Sequence, residues 1–140
     1  MIVQTACTIF KFNLISGAED FNSPSPYVYK IALYNANADL NSSTTAYNTT
    51  NEITGTGYTA GGKTLTPLVG SDITNNVAYV TFSNVVWTPA SFTCRGALIY
   101  NSTTGAAVAV LNFGSDKTAT TSFTIQFPSA TSTSAILRIN

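Results

Sequence analysis

Apolar and polar side chains alternate along much of this chain with a period of two, which suits a strand and not a helix. Ser122-Phe-Thr-Ile-Gln-Phe127 shows the pattern most cleanly, with Phe123, Ile125 and Phe127 on one side. Asn76 to Trp87 alternates through Val77, Tyr79 and Thr81, then switches to Val80, Phe82 and the Val85-Val86-Trp87 cluster. That switch predicts a bulge or a register change near Ser83-Asn84. Tyr27 to Tyr34 is apolar almost throughout, as in a strand covered on both faces. Arg95–Tyr100 and Ala106–Phe113 flank Asn101-Ser-Thr-Thr-Gly105 and read as a hairpin whose five-residue loop ends in glycine. Pro128 ends the strand before it, and Ala135 to Ile139 makes a short last one. Strands punctuated by Gly, Asn and Ser within 140 residues predict one all-β domain, a β-sandwich or barrel, over residues 1–140.

Two stretches escape the alternation. Between Thr8 and Ala18, the residues Phe10, Leu14, Ile15 and Ala18 fit a helical stripe, while Ile9, Phe10, Phe12 and Leu14 partly fit a strand. A short helix or turn is the reading taken. Asn22-Ser-Pro-Ser-Pro26 then forms an extended connector, because each proline fixes its own φ and restricts the residue before it. Residues 1–26 are thus an N-terminal segment and connector. Residues 35–62, poor in aliphatics and rich in Thr, Asn and Gly, are too long for a simple connection and predict a large loop containing a short strand.

Composition narrows the chemistry. Six basic and six acidic side chains give no net charge, so the basic footprint of a nucleic-acid binder is missing. There is no histidine, hence no Ser-His-Asp triad and none of the commonest metal ligand. Nothing nominates a lysine for a Ser-Lys dyad, and the reading is that the chain is not an enzyme, with no catalytic, cofactor-binding or metal-binding residue. Cys7 and Cys94 form no CxxC, and two reduced, buried thiols are expected, with a Cys7–Cys94 bridge as the alternative. No apolar run is long enough for a membrane-spanning helix, so no membrane partner is expected, and the first residues do not read as a secretory signal.

Three motifs match chemistry only formally. Gly57-Tyr-Thr-Ala-Gly-Gly62-Lys63-Thr64 satisfies the phosphate-loop pattern, yet a polar stretch precedes it and Pro67 stands where the helix should begin, so it reads as a glycine-rich turn. Glu19-Asp20 reads as a solvated turn, since neighbouring carboxylates diverge and do not face each other across a cleft. The sequons at Asn41, Asn48 and Asn101 arise readily in a chain where Thr, Ser and Asn supply 50 of 140 residues. The aromatic residues Tyr34, Tyr47, Tyr58 and Trp87 fit a protein interface better than a sugar-stacking platform. A chain this poor in charge, with exposed strand edges, is expected to bury much of its surface in a larger assembly.

Tyr29-Lys-Ile-Ala-Leu-Tyr-Asn-Ala-Asn-Ala-Asp-Leu-Asn-Ser-Ser-Thr-Thr-Ala-Tyr47 and Asn51-Glu-Ile-Thr-Gly-Thr-Gly-Tyr-Thr-Ala-Gly-Gly62 resemble a family of short virion structural proteins of tailed bacteriophages. So do Cys94-Arg-Gly-Ala-Leu-Ile-Tyr-Asn101, Ala106-Ala-Val-Ala-Val-Leu-Asn-Phe-Gly114 and Phe123-Thr-Ile-Gln-Phe-Pro128. The likeness covers roughly residues 27 to 139. Members are described as capsid decoration (cement) proteins or as small tail-fibre proteins. The resemblance implies a jelly-roll-like β-sandwich with at most one short N-terminal helix. It implies a protein made in the bacterial cytoplasm and placed on the capsid exterior, with the major capsid protein and further copies of itself, as dimer or trimer, for partners. A tail-fibre adhesin that binds a receptor or glycan is the alternative. Tyr47 and Tyr58 on the long loop, with Trp87 and Arg95, are the candidate contact residues.

Overall fold

Strand β2 (Tyr29–Tyr34) is the seam around which the chain is built. Ile31, Ala32, Leu33 and Tyr34 are all fully buried, so both faces of the pleat are covered, as an unbroken apolar run requires. The structure, a computed structural model, describes Met1–Asn140. It places β2 in an antiparallel sheet between β7 (Phe92–Asn101) and the two-residue β3 (Lys63–Thr64). Beyond β7 the sheet continues through β8 (Ala107–Ala119) to β1 (Thr5–Ala6).

The β7–β8 hairpin forms where the sequence places it, and both strands extend past the expected ends. Asn101 organises the turn. Its Oδ1 accepts from the N–H groups of Thr103 and Thr104, and its carbonyl accepts from Gly105 N–H at 2.7 Å. Gly105 closes the turn at φ +83°, a conformation that favours glycine. Farther along, Phe113 to Asp116 stand opposite Arg95 alone, and Arg95 Nε donates to Asp116 at 2.8 Å across this irregularity.

Two smaller sheets complete the structure. In one, β5 (Val77–Phe82) lies between β4 (Pro67–Asp72) and β10 (Leu137–Ile139); in the other, β6 (Val85–Trp87) pairs with β9 (Phe123–Ile125). The break at Ser83-Asn84 is therefore neither a bulge nor a register change. There the chain leaves one sheet and enters another, and its apolar parity switches because the covered side switches. Asn84 fixes the crossing by accepting from Phe127 N–H at 2.9 Å. The three sheets share one core of 31 buried residues, among whose largest fully buried members are Trp87, Tyr29, Tyr34 and Phe82. The fold is all-β, single-domain and sandwich-like, with one short helix.

That helix, α1 (Thr8–Ile15), resolves the ambiguous N-terminal segment. Phe10 is buried and Leu14 packs against the core, as the stripe predicts, but Ile15 stays outside the core and is 89% exposed. No side chain caps the helix N-terminus, and eight residues are too few for propensity alone to hold it. Packing of Phe10, Ile9 and Leu14 on the core supplies the stability instead. The helix stops where Gly17 takes φ +79° and Ala18 N–H closes on the Asn13 carbonyl at 2.7 Å.

Residues 35–62 contain no strand, contrary to expectation. Four single-residue bridges tie the stretch down: Leu40 to Ile2, Ala46 to Ala106, Glu52 to Tyr34 and Thr56 to Ser91. Between them Asn35, Asn41 and Asn48 each accept from the backbone N–H two residues on, at 2.9, 2.8 and 2.9 Å. Such side-chain turns satisfy the backbone where a ladder would otherwise be needed, and explain why asparagine is frequent here. Cys7 and Cys94 are both free thiols and fully buried. Burial pushes their pKa values up to about 11 and about 12.

Candidate functional site

Three of the four candidate contact residues turn inward. Trp87 is only 1% exposed and lies edge-on to Phe92 at 6.4 Å, so it is a core residue and presents no contact surface. Its position at the end of a short strand in a two-stranded sheet buries it, and local alternation carries no sign of which element will cover a strand. Tyr34, another aromatic that suggested stacking, is fully buried, with its hydroxyl donating to the Asn48 carbonyl at 2.6 Å. Tyr47 and Tyr58 are half-buried. The Tyr47 ring stacks on Tyr100 at 4.6 Å, and Tyr58 packs beside Trp87 at 6.3 Å. Neighbouring rings therefore already occupy faces that a sugar would need. Arg95 is partly exposed and engaged with Asp116.

The two half-buried tyrosines converge on one carboxylate that the sequence did not single out. Tyr47 donates to Glu52 Oε2 at 2.7 Å, and Tyr58 donates to Oε1 at 2.6 Å. Gly61 N–H donates to the same Oε1 at 2.7 Å, while Tyr58 Oη accepts from Leu33 N–H at 2.9 Å. Glu52 thus clasps the long loop to β2 without any cation. Burial first, and then the hydrogen bond to this carboxylate, hold the Tyr47 and Tyr58 hydroxyls well above the usual tyrosine range. An amide accepts only through its oxygen, so all three partners lose the carboxylate's charge and the Tyr47 hydroxyl must turn to accept from the NH2. Glu52→Gln is therefore expected to lower stability by about 2 kcal/mol in urea unfolding; an unchanged midpoint would show that the clasp holds nothing.

Gly57 to Gly62 runs straight into β3 (Lys63–Thr64), and the next element is strand β4, with no helix after the motif. The Glu19-Asp20 reading needs correction. Glu19 is 7% exposed, with Oε2 accepting from Tyr29 Oη at 2.6 Å and from Asn101 Nδ2 at 3.2 Å, while Oε1 has no partner. It pins the proline connector to β2 and to the β7–β8 turn, through partners 10 and 82 residues away. Asp20, beside it, accepts from Asn22 N–H in a local turn.

Several large apolar side chains are exposed. Phe12 and Ile15 of α1, Val69 of β4 and Ile139 of β10 are all exposed, and Ile73, in the turn after β4, is 92% exposed. Ile15, Val69 and Ile139 line a groove of about 560 Å³ between α1 and the three-stranded sheet, and Phe12 and Ile73 stand outside it. The charged side chains on the surface are few: only Arg95–Asp116 and the amino terminus with Asp39 form ion pairs. No three Cys, Asp or Glu side chains are grouped to hold a metal ion, and no helix is long and apolar enough to cross a membrane. Fold and surface together define an all-β, sandwich-like protein with an uncovered apolar face. No family model matches the chain, and no curated protein or solved structure matches it either.

Proposed function

We propose that this chain is a structural protein of a bacteriophage virion, a capsid decoration (cement) protein that binds the outside of the head and stabilises the shell by bridging subunits of the major capsid protein. The observation that carries the reading is the uncovered apolar surface on a chain with only twelve charged residues. A contiguous apolar groove marks a surface suited to contact, and low charge leaves a free monomer little protection against association. The resemblance of residues 27 to 139 to short phage virion proteins supplies the setting. The mechanism is adhesion: each copy covers surface between shell subunits, and repetition by symmetry multiplies modest contacts. A specific interface of this kind buries about 1,600 Å² in total.

The test is the copy number of this protein per purified virion, counted by quantitative mass spectrometry against the major capsid protein. A ratio near that of the shell protein is expected. A count on the scale of tail components would favour the adhesin, and absence from virions would overturn both. Attachment through apolar and neutral polar groups is also expected to change little as ionic strength rises, because such contacts have little long-range Coulomb character for salt to screen. Loss of most bound copies on modest addition of salt would contradict this.

A further inference from the structure

We propose that the three-stranded sheet and α1 form a self-association surface on which two copies of this chain exchange the β4–β5 turn, each Ile73 entering the other copy's groove. The groove runs between α1 and one face of the sheet, lined by Phe10, Leu14 and Ile15 of the helix and by Val69, Val80 and Ile139 of the strands. Register explains that lining. Val69, Val80 and Leu137 stand side by side across β4, β5 and β10, and Ser71, Ala78 and Ile139 form the next row on the same face. Arg138 also borders the groove, but it pairs in register with Tyr79 on the opposite face, where its guanidinium donates to the Thr133 carbonyl. Lys11, on the helix, makes no ion pair within the chain, and no acidic side chain lines the groove.

The occupant is present on the same molecule. Ile73 is the most exposed large apolar side chain, and the turn that carries it is held firmly. Asp72 accepts from Asn75 N–H and Asn75 Nδ2 and from Ser132 Oγ at 2.6 Å, and Asn76 takes φ +59°. These bonds hold the Asp72 carboxyl below its ordinary range, so a carboxylate stands beside the apolar knob. Knob and carboxylate complement a groove whose rim carries Lys11. Neither lines the groove of its own chain, since both stand at or beyond the end of β4, at least three residues past Val69. That proximity favours a two-fold pair. In an isologous contact the knob of each partner must meet the groove of the other, and one axis between neighbouring knob and groove satisfies both contacts.

This inference needs the groove and the turn alone, and not the virion reading. Sedimentation equilibrium of the full chain at micromolar concentration is expected to give twice the chain mass. Ile73→Asp and Ile15→Asp are each expected to halve that mass with unchanged circular dichroism, because both side chains are exposed and neither supports the core. Ile73→Cys mixed with Ile15→Cys should then form an interchain disulfide under mild oxidation, the native thiols being buried. A monomeric parent chain would leave the groove to some other occupant and overturn the proposal. So would an oligomer that survives either Asp substitution. Virion copy number is read separately, so either conclusion can fail while the other stands.

Discussion

Titration with base is expected to unfold this protein in one steep step centred at about pH 11, with ionisation of the buried tyrosines delayed until the fold is lost. Tyr29, Tyr34 and Tyr100 are each less than 5% exposed, and burial is the first cause raising all three above the ordinary tyrosine value of 10.0. Below pH 10 these phenols are protonated in folded and unfolded chains alike, so their contribution is constant. Above it the unfolded chain releases protons that the folded chain retains, and each such group costs about 1.4 kcal/mol of stability per pH unit. Tyr29 and Tyr34 together cost about 3 kcal/mol per unit on that arithmetic, and Tyr100, Tyr47 and Tyr58 act in the same direction. The thiols add to the loss from lower pH, since burial lifts Cys7 and Cys94 from 9.0 to about 11 and about 12. Against a typical domain stability of about 5–15 kcal/mol, the accumulated loss is decisive by about pH 11. Tyrosinate absorbance and far-ultraviolet circular dichroism should change together. Ionisation of most tyrosines near pH 10 with the dichroism intact would show that their burial carries no such weight.

The second large effect concerns one backbone position. Gly62 takes φ +76°, and a Cβ there would lie 1.7 Å from the Ile31 carbonyl oxygen and 2.9 Å from Ala32 Cα. Both neighbours are backbone of β2, fully buried and held from behind by pairing with Ile99 and Leu98 of β7, so they cannot give way. Gly62→Ala therefore requires β3 and the end of the long loop to detach, and a loss of more than about 4 kcal/mol is expected. Gly105→Ala is the control. Its φ of +83° is just as unfavourable for alanine, but nothing lies within 4 Å of the added carbon, so the cost is only the left-handed conformation, about 1–2 kcal/mol. The comparison separates backbone strain from collision. Equal urea midpoints for the two variants would mean that β2 yields after all.

The elements that local pattern could reach were legible, and those that depend on a distant partner were not. Phe123, Ile125 and Phe127 read correctly as one inward face because a strand's alternation lies within six residues. The hairpin turn at Asn101–Gly105 read correctly for the same reason. Ser83-Asn84 was visible as a discontinuity, but its nature depended on β9 and β10, more than 35 residues downstream. Glu19 looked solvated because acidic pairs before prolines usually are; only Tyr29 and Asn101 arriving in space reveal that it is buried. Trp87, Tyr47 and Tyr58 carried a true signal of amphipathic aromatics, yet a polar tip serves an internal hydrogen bond as well as an interface. The groove left no local trace at all, since α1, β4, β5 and β10 are brought together only by the fold.

The placement of β1 has a consequence for the order of events during synthesis. Thr5 pairs with Val110, and Asn112 Nδ2 donates to the Ile2 carbonyl, so these early residues wait for partners more than a hundred positions later. Such long-range pairing raises contact order and slows folding, because loop closure must precede any reward from the contact. A nascent chain leaving the ribosome therefore exposes its N-terminal apolar residues, Ile2 and Phe10 among them, until β8 has emerged. Chaperone dependence of yield should fall on that interval, and the final edge of the large sheet should be the last part of it to close.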